Sequence, residues 1–213
     1  MRASYLALVT LMLFSLSACE STYYSAMEKV GIHKRDILVD RIDDARTAQQ
    51  DGQQQFKDAL EEFRAVTEYQ GGDLADLYDR LNAEYEDSVS AAETIRDRIE
   101  SVETVAEALF DEWESELDQY TSANLRRDSA QKLKDTKSRY KTLMATMRRA
   151  ERSIDPVMDT LRDNVLYLKH NLNARAVNAL KSELRSVDHN VQALVVAMSR
   201  AIEESDRFIE TLR

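Results

Sequence analysis

Residues 74–113 read LADLYDRLNAEYEDSVSAAETIRDRIESVETVAEALFDEW, and this stretch decides the fold. Two rows of side chains, most of them apolar, recur in it every seven residues. A seven-residue repeat keeps side chains on one side of an α-helix, so the stretch predicts one long helix packed against others. The rows are Leu74, Leu81, Ser88, Ile95, Val102 and Leu109 beside Tyr78, Tyr85, Ala92, Ile99, Ala106 and Trp113.

The rest of the chain favours helices as well. Its 213 residues include four glycines and one proline, with 43% hydrophobic and 32% charged residues. So few helix-breaking residues leave little room for strands joined by turns. Breaks in the repeat predict three reversals, at Gly71-Gly72, near 119–124 and between Leu172 and Leu180, with Asp73 and either Ser122 or Asn124 as caps. We therefore expect an all-α fold, a long antiparallel bundle or coiled coil of four helices of about 40 to 47 residues running up-down-up-down.

The first helix is predicted between Tyr23 and Tyr69, with a length of about 45 residues. One of its rows is bulky and the other is mostly small. Such a helix can approach a partner closely along the small row while aromatic rings fill the space beside it. The bulky row is Ile42, Gln49, Phe56 and Phe63, and the small row is Leu38, Ala45, Gly52, Ala59 and Val66.

Pro156 leaves two interpretations of the third helix. The apolar row from Leu133 to Leu168 continues through the proline without a change of phase. Because a reversal has no reason to preserve phase, we expect a kinked helix from about Asn124 to Asn171. The alternative is a turn at Pro156, which gives a short third helix and a very long fourth one.

The N-terminus has the three parts of an export signal. Arg2 precedes an apolar stretch that is too short to span a bilayer, and small residues follow it. Residues 16–19, LSAC, resemble the bacterial lipobox, in which the cysteine is acylated and the preceding bond is cleaved. We expect a lipoprotein signal peptide at 1–18 and a mature domain at 19–213, anchored by lipids on Cys19. A plain signal peptide with a cysteine nearby is the alternative. Glu20 favours the outer membrane facing the periplasm over the inner membrane.

Charge is unevenly distributed along the chain. Residues 73–118 hold sixteen acidic and three basic side chains, whereas residues 125–152 hold ten basic and three acidic ones. One interpretation is that the two helices pair across a seam, and the other is that the bases face outward toward lipid phosphates or an anionic polymer. Nucleic acid is not an expected partner of a chain with a net charge of -10. The bases are Arg126, Arg127, Lys132, Lys134, Lys137, Arg139, Lys141, Arg148, Arg149 and Arg152.

Motifs for catalysis are missing from the sequence. The single cysteine is assigned to the anchor, and neither a phosphate-binding loop nor a G-x-S-x-G elbow is found. None of the three histidines has glutamate three residues before it, as di-iron bundles require. We therefore expect no enzyme, cofactor or metal. His33, Asp36 and Asp40 could bind a cation, but a solvated ion-pair network is the plainer interpretation.

Residues close to the anchor form a candidate interface: Tyr23, Tyr24, Met27, His33, Lys34, Arg35, Asp36 and Asp40. The aromatic residues suit either an interfacial belt on the bilayer or a docking surface for an envelope protein. Residues 23–42, YYSAMEKVGIHKRDILVDRI, resemble an uncharacterised family of Gram-negative lipoproteins, domain of unknown function 2959. The resemblance implies an envelope lipoprotein rich in coiled coil. It assigns no activity and no residue roles.

Two functions follow as hypotheses. The first is a non-enzymatic, lipid-anchored rod that spaces, scaffolds or adapts envelope components through helix contacts. The second is a membrane-binding or membrane-remodelling module that presses the basic helix 125–152 on anionic lipid. Pairing between two copies of the chain stays open, because long heptad surfaces pair between chains as readily as within one.

Overall fold

The structure, a computed structural model, describes residues 31, 33–71 and 73–212. The predicted signal peptide at 1–18 lies outside these residues, as do Cys19, Tyr23, Tyr24 and Met27. The described chain forms α1 (Lys34–Thr67), α2 (Leu74–Glu116), α3 (Ala123–Arg152), α4 (Ile154–His170) and α5 (Ala174–Leu212), with a short 3-10 turn at Leu117–Gln119 after α2. The predicted all-α fold is confirmed.

Four antiparallel helical segments, here called rods, make up the bundle: α1, α2, the bent segment of α3 and α4, and α5. α1 packs against α2 and α5, and α3 with α4 packs against the same two helices from the other side. Lys34 at the start of α1 pairs with Glu112 near the end of α2, and Arg46 on α1 pairs with Asp206 late in α5. These contacts place neighbouring rods in opposite directions, which is the up-down-up-down order predicted from the short connections.

Side-chain caps mark the reversals between rods. Asp73 accepts a hydrogen bond from the Ala75 backbone N–H at 2.8 Å, and Ser122 accepts one from Leu125 N–H at 3.4 Å. Asn173 does the same for α5, accepting from the N–H groups of Arg175 and Ala176. Each cap satisfies a donor that the first turn of a helix leaves unpaired. The caps predicted at Asp73 and Ser122 are confirmed.

The third rod bends but does not reverse. α3 and α4 are separated by Ser153 alone, whose backbone stays in the right-handed helical region. Pro156 has no N–H for the carbonyl four residues earlier, which accounts for a break at this position. Both helices pack between α2 and α5, so the kinked helix is correct and the alternative turn at Pro156 is wrong.

The first rod is shorter than predicted. Within the described residues α1 begins at Lys34 and has 34 residues, so the expected length of about 45 is wrong. His33 has an extended backbone, and Gly31 has a φ of +85°. Neither of these backbone conformations is helical, so α1 begins only at Lys34.

Gly52 brings α1 and α2 close together. A Cβ atom built on Gly52 would lie 2.6 Å from Cδ1 of Ile95 on α2 and 3.8 Å from Cε of Met198 on α5. The neighbouring members of the small row, Ala45 and Ala59, are 1% and 0% exposed. The close approach predicted for the small row is therefore found at this contact.

Gln49 is the unusual member of the bulky row. Its side chain is fully buried, and neither its Oε1 nor its Nε2 has a hydrogen-bond partner in the described structure. Four residues later, the Nε2 of Gln53 donates to the Val195 carbonyl at 3.0 Å and to Ser199 Oγ at 2.9 Å. Both amides face the bundle, but only the amide of Gln53 forms protein hydrogen bonds that replace those it made to water.

Replacing these two glutamines by leucine should shift stability in opposite directions. Gln49→Leu removes an unpaired buried amide and should stabilise the fold by about 2 kcal/mol, or roughly 6 °C in Tm. Gln53→Leu loses two hydrogen bonds to α5 and should cost about 1 kcal/mol. Thermal unfolding followed by circular dichroism measures both. Equal shifts of the same sign would show that Gln49 is satisfied in solution.

Tyr140 joins three rods through aromatic contacts. Its ring lies 5.2 Å from that of Phe110 on α2 at an interplanar angle of 71°, and 6.2 Å from that of Phe208 on α5. Edge-on packing of this kind adds stability beyond area burial. Burial raises the pKa of Tyr140 above its ordinary value of 10.0, and the nearby carboxylates of Glu103 and Glu107 raise it further. The folded protein therefore favours the neutral phenol.

This pKa shift predicts a loss of stability in alkali. Below about pH 10 Tyr140 is neutral in both the folded and the unfolded chain, so its contribution is complete. Above that pH the unfolded chain loses the proton while the folded protein keeps it, and the free energy of unfolding falls. Tyr140→Phe should match the wild type at pH 8 and lose less stability at pH 10.5, as measured by urea unfolding. An equal loss in both proteins would contradict the prediction.

Candidate functional site

The two ends of the bundle differ in their chemistry. We call the end that contains the start of α1, residues 117–122 and the end of α5 the proximal pole. The distal pole contains the connections at 68–73 and 171–173. The predicted interface residues of α1 and the first half of basic α3 both lie at or near the proximal pole, so the candidate site is built there.

Lys34 has a structural role. Its Nζ lies 2.8 Å from Oε1 of Glu112, and its side chain is only 12% exposed. Its ammonium ties the start of α1 to the end of α2, so Lys34 is the least accessible of the predicted interface residues that the structure describes. His33, Arg35, Asp36 and Asp40 are exposed, so these four predicted interface residues remain accessible.

The hypothesis of a cation bound by His33, Asp36 and Asp40 gains no support. Within the described part of the chain, no three His, Cys, Asp or Glu side chains are grouped as a metal site requires. Asp36 lies 3.7 Å from Arg35, in a loose pair between exposed side chains. Such an arrangement is the solvated ion-pair network considered from the sequence.

Three of the ten bases fasten α3 to α2. Arg148 binds Glu103 on α2 and Glu151 on its own helix, and these hydrogen bonds raise the pKa of its guanidinium. Lys137 Nζ lies 2.5 Å from Oε1 of Glu114. Arg126 pairs with Asp118 across the turn. The predicted seam between the acidic and the basic helix is present at these positions, where it fixes register more than stability.

The other bases are exposed on α3. Lys132 pairs with Asp128 within its own helix at 2.9 Å, and this hydrogen bond raises its pKa. Arg127 donates to the Asn124 side chain at 2.5 Å. The remaining five form no ion pair within the described residues, and all five are exposed: Lys134, Arg139, Lys141, Arg149 and Arg152. The seam interpretation therefore holds for the paired bases, and the exposed bases leave contact with lipid phosphates or an anionic polymer as a prediction.

A cleft of about 580 Å³ opens at the proximal pole, where all four rods meet. Leu109 and Leu212 line its apolar part, and Arg35, Arg139 and Glu116 lie around it. Trp113, the single tryptophan of the chain, also lines the cleft, and its Nε1 donates to Ser129 Oγ at 2.8 Å. The sequence shows Trp113 only as a member of a heptad row. Nothing in that row indicates that the row ends in an open cleft.

Two large apolar side chains lie exposed at the same pole. Tyr120 is 41% exposed in the connection before α3, and Leu125 is 59% exposed in the first turn of α3. Arg126 and Arg127 follow Leu125 directly in the chain. Aromatic and aliphatic side chains beside arginine are typical of surfaces that contact a membrane or a partner protein. Residues 119–124 predict only a reversal, and nothing in their pattern indicates this surface.

Four titratable groups in the described chain have raised pKa values and so hold their protons more firmly: Arg46, Lys132, Tyr140 and Arg148. Of these, only Lys132 lines the cleft at the proximal pole.

The fold defines the protein as a long antiparallel four-helix bundle. Among the described residues, no helix is both long and apolar enough to cross a membrane. The model of a family described as a protein of unknown function, DUF2959, matches residues 23–212, and the chain belongs to that family. None of the curated proteins matches the sequence significantly.

Proposed function

We propose that this protein is a lipid-anchored rod of the cell envelope that spaces, scaffolds or adapts other envelope components. Cys19 carries the lipids, and the bundle faces the periplasm from the outer membrane. The rod works without catalysis, and its partners are envelope proteins and, through the anchor, the membrane. The lipobox-like LSAC at 16–19 supports the anchor, and membership in a family without an assigned activity is compatible with this role.

The length of the rods, together with their exposed charged sides, is the main support for this function. α2 has 43 residues, which corresponds to about 65 Å at 1.5 Å per residue. Five acidic side chains on α2 are spaced seven residues apart, and all are exposed: Asp79, Glu86, Glu93, Glu100 and Glu107. A continuous charged stripe of this kind presents the same chemistry to partners along most of the rod. Such a surface suits side-on contacts.

Photo-crosslinking in living cells tests the scaffold proposal. A photoreactive amino acid is placed at Glu93 on α2, Lys141 on α3 or Val196 on α5, all exposed positions on different rods. We expect the positions on one face of the bundle to give discrete adducts with the same envelope protein. Mass spectrometry identifies that protein. A buried position such as Ile99 serves as the control and should give no adduct between chains. The scaffold proposal fails if none of the exposed positions gives a protein adduct.

A membrane-binding module is the second candidate. The exposed bases of α3 that form no ion pair within the described residues favour it, because each Lys or Arg near an anionic surface contributes about 1 kcal/mol at moderate salt. If it operates, Lys134→Glu with Lys141→Glu should abolish salt-sensitive binding to anionic vesicles. The crosslinking sites on α2 and α5 would then give no protein adducts, which separates the two candidates.

A further inference from the structure

We propose that the whole bundle stands end-on on the membrane. Tyr120 and the first turn of α3, which carries Leu125, are seated among phospholipid headgroups, and the distal pole is held away from the bilayer. The partner is the headgroup layer of the membrane that holds the anchor. This inference rests on the proposed lipid anchor, and it adds an orientation and a contact surface.

The apolar part of this surface is the exposed turn at the proximal pole. Leu125 has the largest exposed fraction among the large hydrophobic residues described, at 59%. Tyr120, in the connection before α3, has an exposed fraction of 41%. Tyrosine favours the level of the headgroups, because its ring is apolar and its hydroxyl is polar. A leucine that inserts beside it removes its side chain from water.

The other end of the rod has a matching pair of exposed side chains. Leu166 and Tyr167, near the distal pole, have exposed fractions of 49% and 43%. Tyr167 lies in a groove lined by Asp159, Asp163 and Glu183, and Arg162 pairs with both aspartates. Neither apolar exposure nor charge therefore chooses between the two ends. The position of the lipid anchor does.

Bases lie around the proximal turn. Arg126 and Arg127 follow Leu125 within one helical turn, and Arg35 and Arg139 lie beside the neighbouring cleft. Among the acids near the turn, Asp118 pairs with Arg126 and Glu114 pairs with Lys137. Glu116 lies beside Tyr120 and forms no ion pair within the described residues. Guanidinium groups that remain accessible bind phosphate oxygens with two donors at once.

The anchor limits how far this pole can be from the bilayer. Gly31, at the proximal end of the described chain, follows Cys19 by twelve residues, which span at most about 40 Å when fully extended. The distal pole lies about 65 Å further along the rod by the length of α2. The linker therefore keeps the proximal pole within about 40 Å of the anchored lipids in every orientation. The distal pole reaches the headgroups only if the bundle lies flat or is inclined with its proximal pole lifted on the linker.

Two single-tryptophan variants test the orientation directly. Both carry Trp113→Phe; one adds Tyr120→Trp at the proximal pole, and the other adds Tyr167→Trp at the distal pole. The exchanged tyrosines have nearly equal exposure, so the two reporters are matched. The acylated, full-length proteins are reconstituted into vesicles that contain a lipid with a nitroxide on its headgroup. Quenching of tryptophan fluorescence is then compared with vesicles that lack the nitroxide.

We expect at least threefold stronger quenching of the tryptophan at 120 than of the one at 167, because nitroxide quenching acts over distances far shorter than the rod. Equal, strong quenching of both would overturn the inference and show a rod lying flat. Absence of quenching at 120 would also overturn it. Flotation of the same samples with the vesicles reports separately on the lipid anchor, so its failure is recognised by itself.

A matched pair of charge substitutions tests the contact. Leu125→Glu places a carboxylate three residues after the Ser122 cap, a position where glutamate favours the start of a helix, so the fold should be preserved. In the reporter with tryptophan at 120, this substitution should reduce quenching at least twofold. Leu166→Glu, at the distal pole, should leave it unchanged. If the two substitutions have the same effect, Leu125 is not part of the membrane contact.

Discussion

Gly52→Leu is expected to destabilise the bundle by about 3 kcal/mol and to lower Tm by roughly 9 °C. The Cβ atom alone would lie 2.6 Å from Cδ1 of Ile95, and three further carbon atoms would have to enter the space held by Ile95 and Met198. Ile95 and Met198 are both fully buried, so neither side chain can turn out into water. α1 would have to move away from α2 along much of its length.

Gly52→Ala is the control for this substitution. Alanine gains about 1 kcal/mol of helix propensity over glycine, which offsets the cost of rotating the terminal methyl group of Ile95. We expect its stability to lie within about 1 kcal/mol of the wild type. Thermal unfolding of all three proteins by circular dichroism provides the comparison. A leucine variant as stable as the alanine variant would show that the two helices are further apart at this contact.

Cys19→Ser is expected to abolish fatty-acid labelling of the protein altogether. On the proposed lipid anchor, Cys19 would carry three acyl chains, each contributing roughly 0.8 kcal/mol per buried CH₂, and serine cannot form the thioether that starts the modification. Metabolic labelling with an alkyne fatty acid, followed by intact-mass measurement, gives the result in one preparation. Ser21→Ala, two residues further on, should keep both the label and the added mass.

The wild-type mass is the decisive measurement for this prediction. A protein cleaved before Cys19 that retains a free thiol would contradict the lipid anchor. The plain signal peptide considered from the sequence would then be the better interpretation. In that case no lipid would hold the proximal pole near the membrane, and the proposed end-on orientation would lose its basis. The fold of the bundle would be unaffected.

The fold could be predicted from local patterns because it depends on them. The rows in 74–113 predict α2, and Asp73 and Ser122 predict the caps that the structure confirms. The apolar row keeps its phase through Pro156, which predicts a bend instead of a reversal. The structure agrees, because the helices on both sides of Ser153 pack against α2 and α5. The start of α1 could not be found in this way. The apolar rows do not show the left-handed backbone of Gly31 or the extended backbone of His33, which precede α1.

The candidate site was harder to predict, because it depends on contacts between rods. Lys34 looks like an exposed base in the sequence, and only the approach of Glu112, 78 residues later, shows that it is paired. Trp113 and Tyr120 both donate to Ser129 Oγ, because the end of α2 and the start of α3 meet at the same pole. The unpaired amide of Gln49 has the same origin, since its surroundings come from other helices.

The even number of rods has a practical consequence for labelling experiments. His33 and Leu212 lie at the same end of the molecule, so a fluorescent domain fused after the last helix would be held beside the bilayer whenever the rod is upright. A tag inserted at Gly71 would instead be carried to the far tip. Energy transfer from a dye in the membrane to each of these two fusions would give the height of the molecule in a living cell.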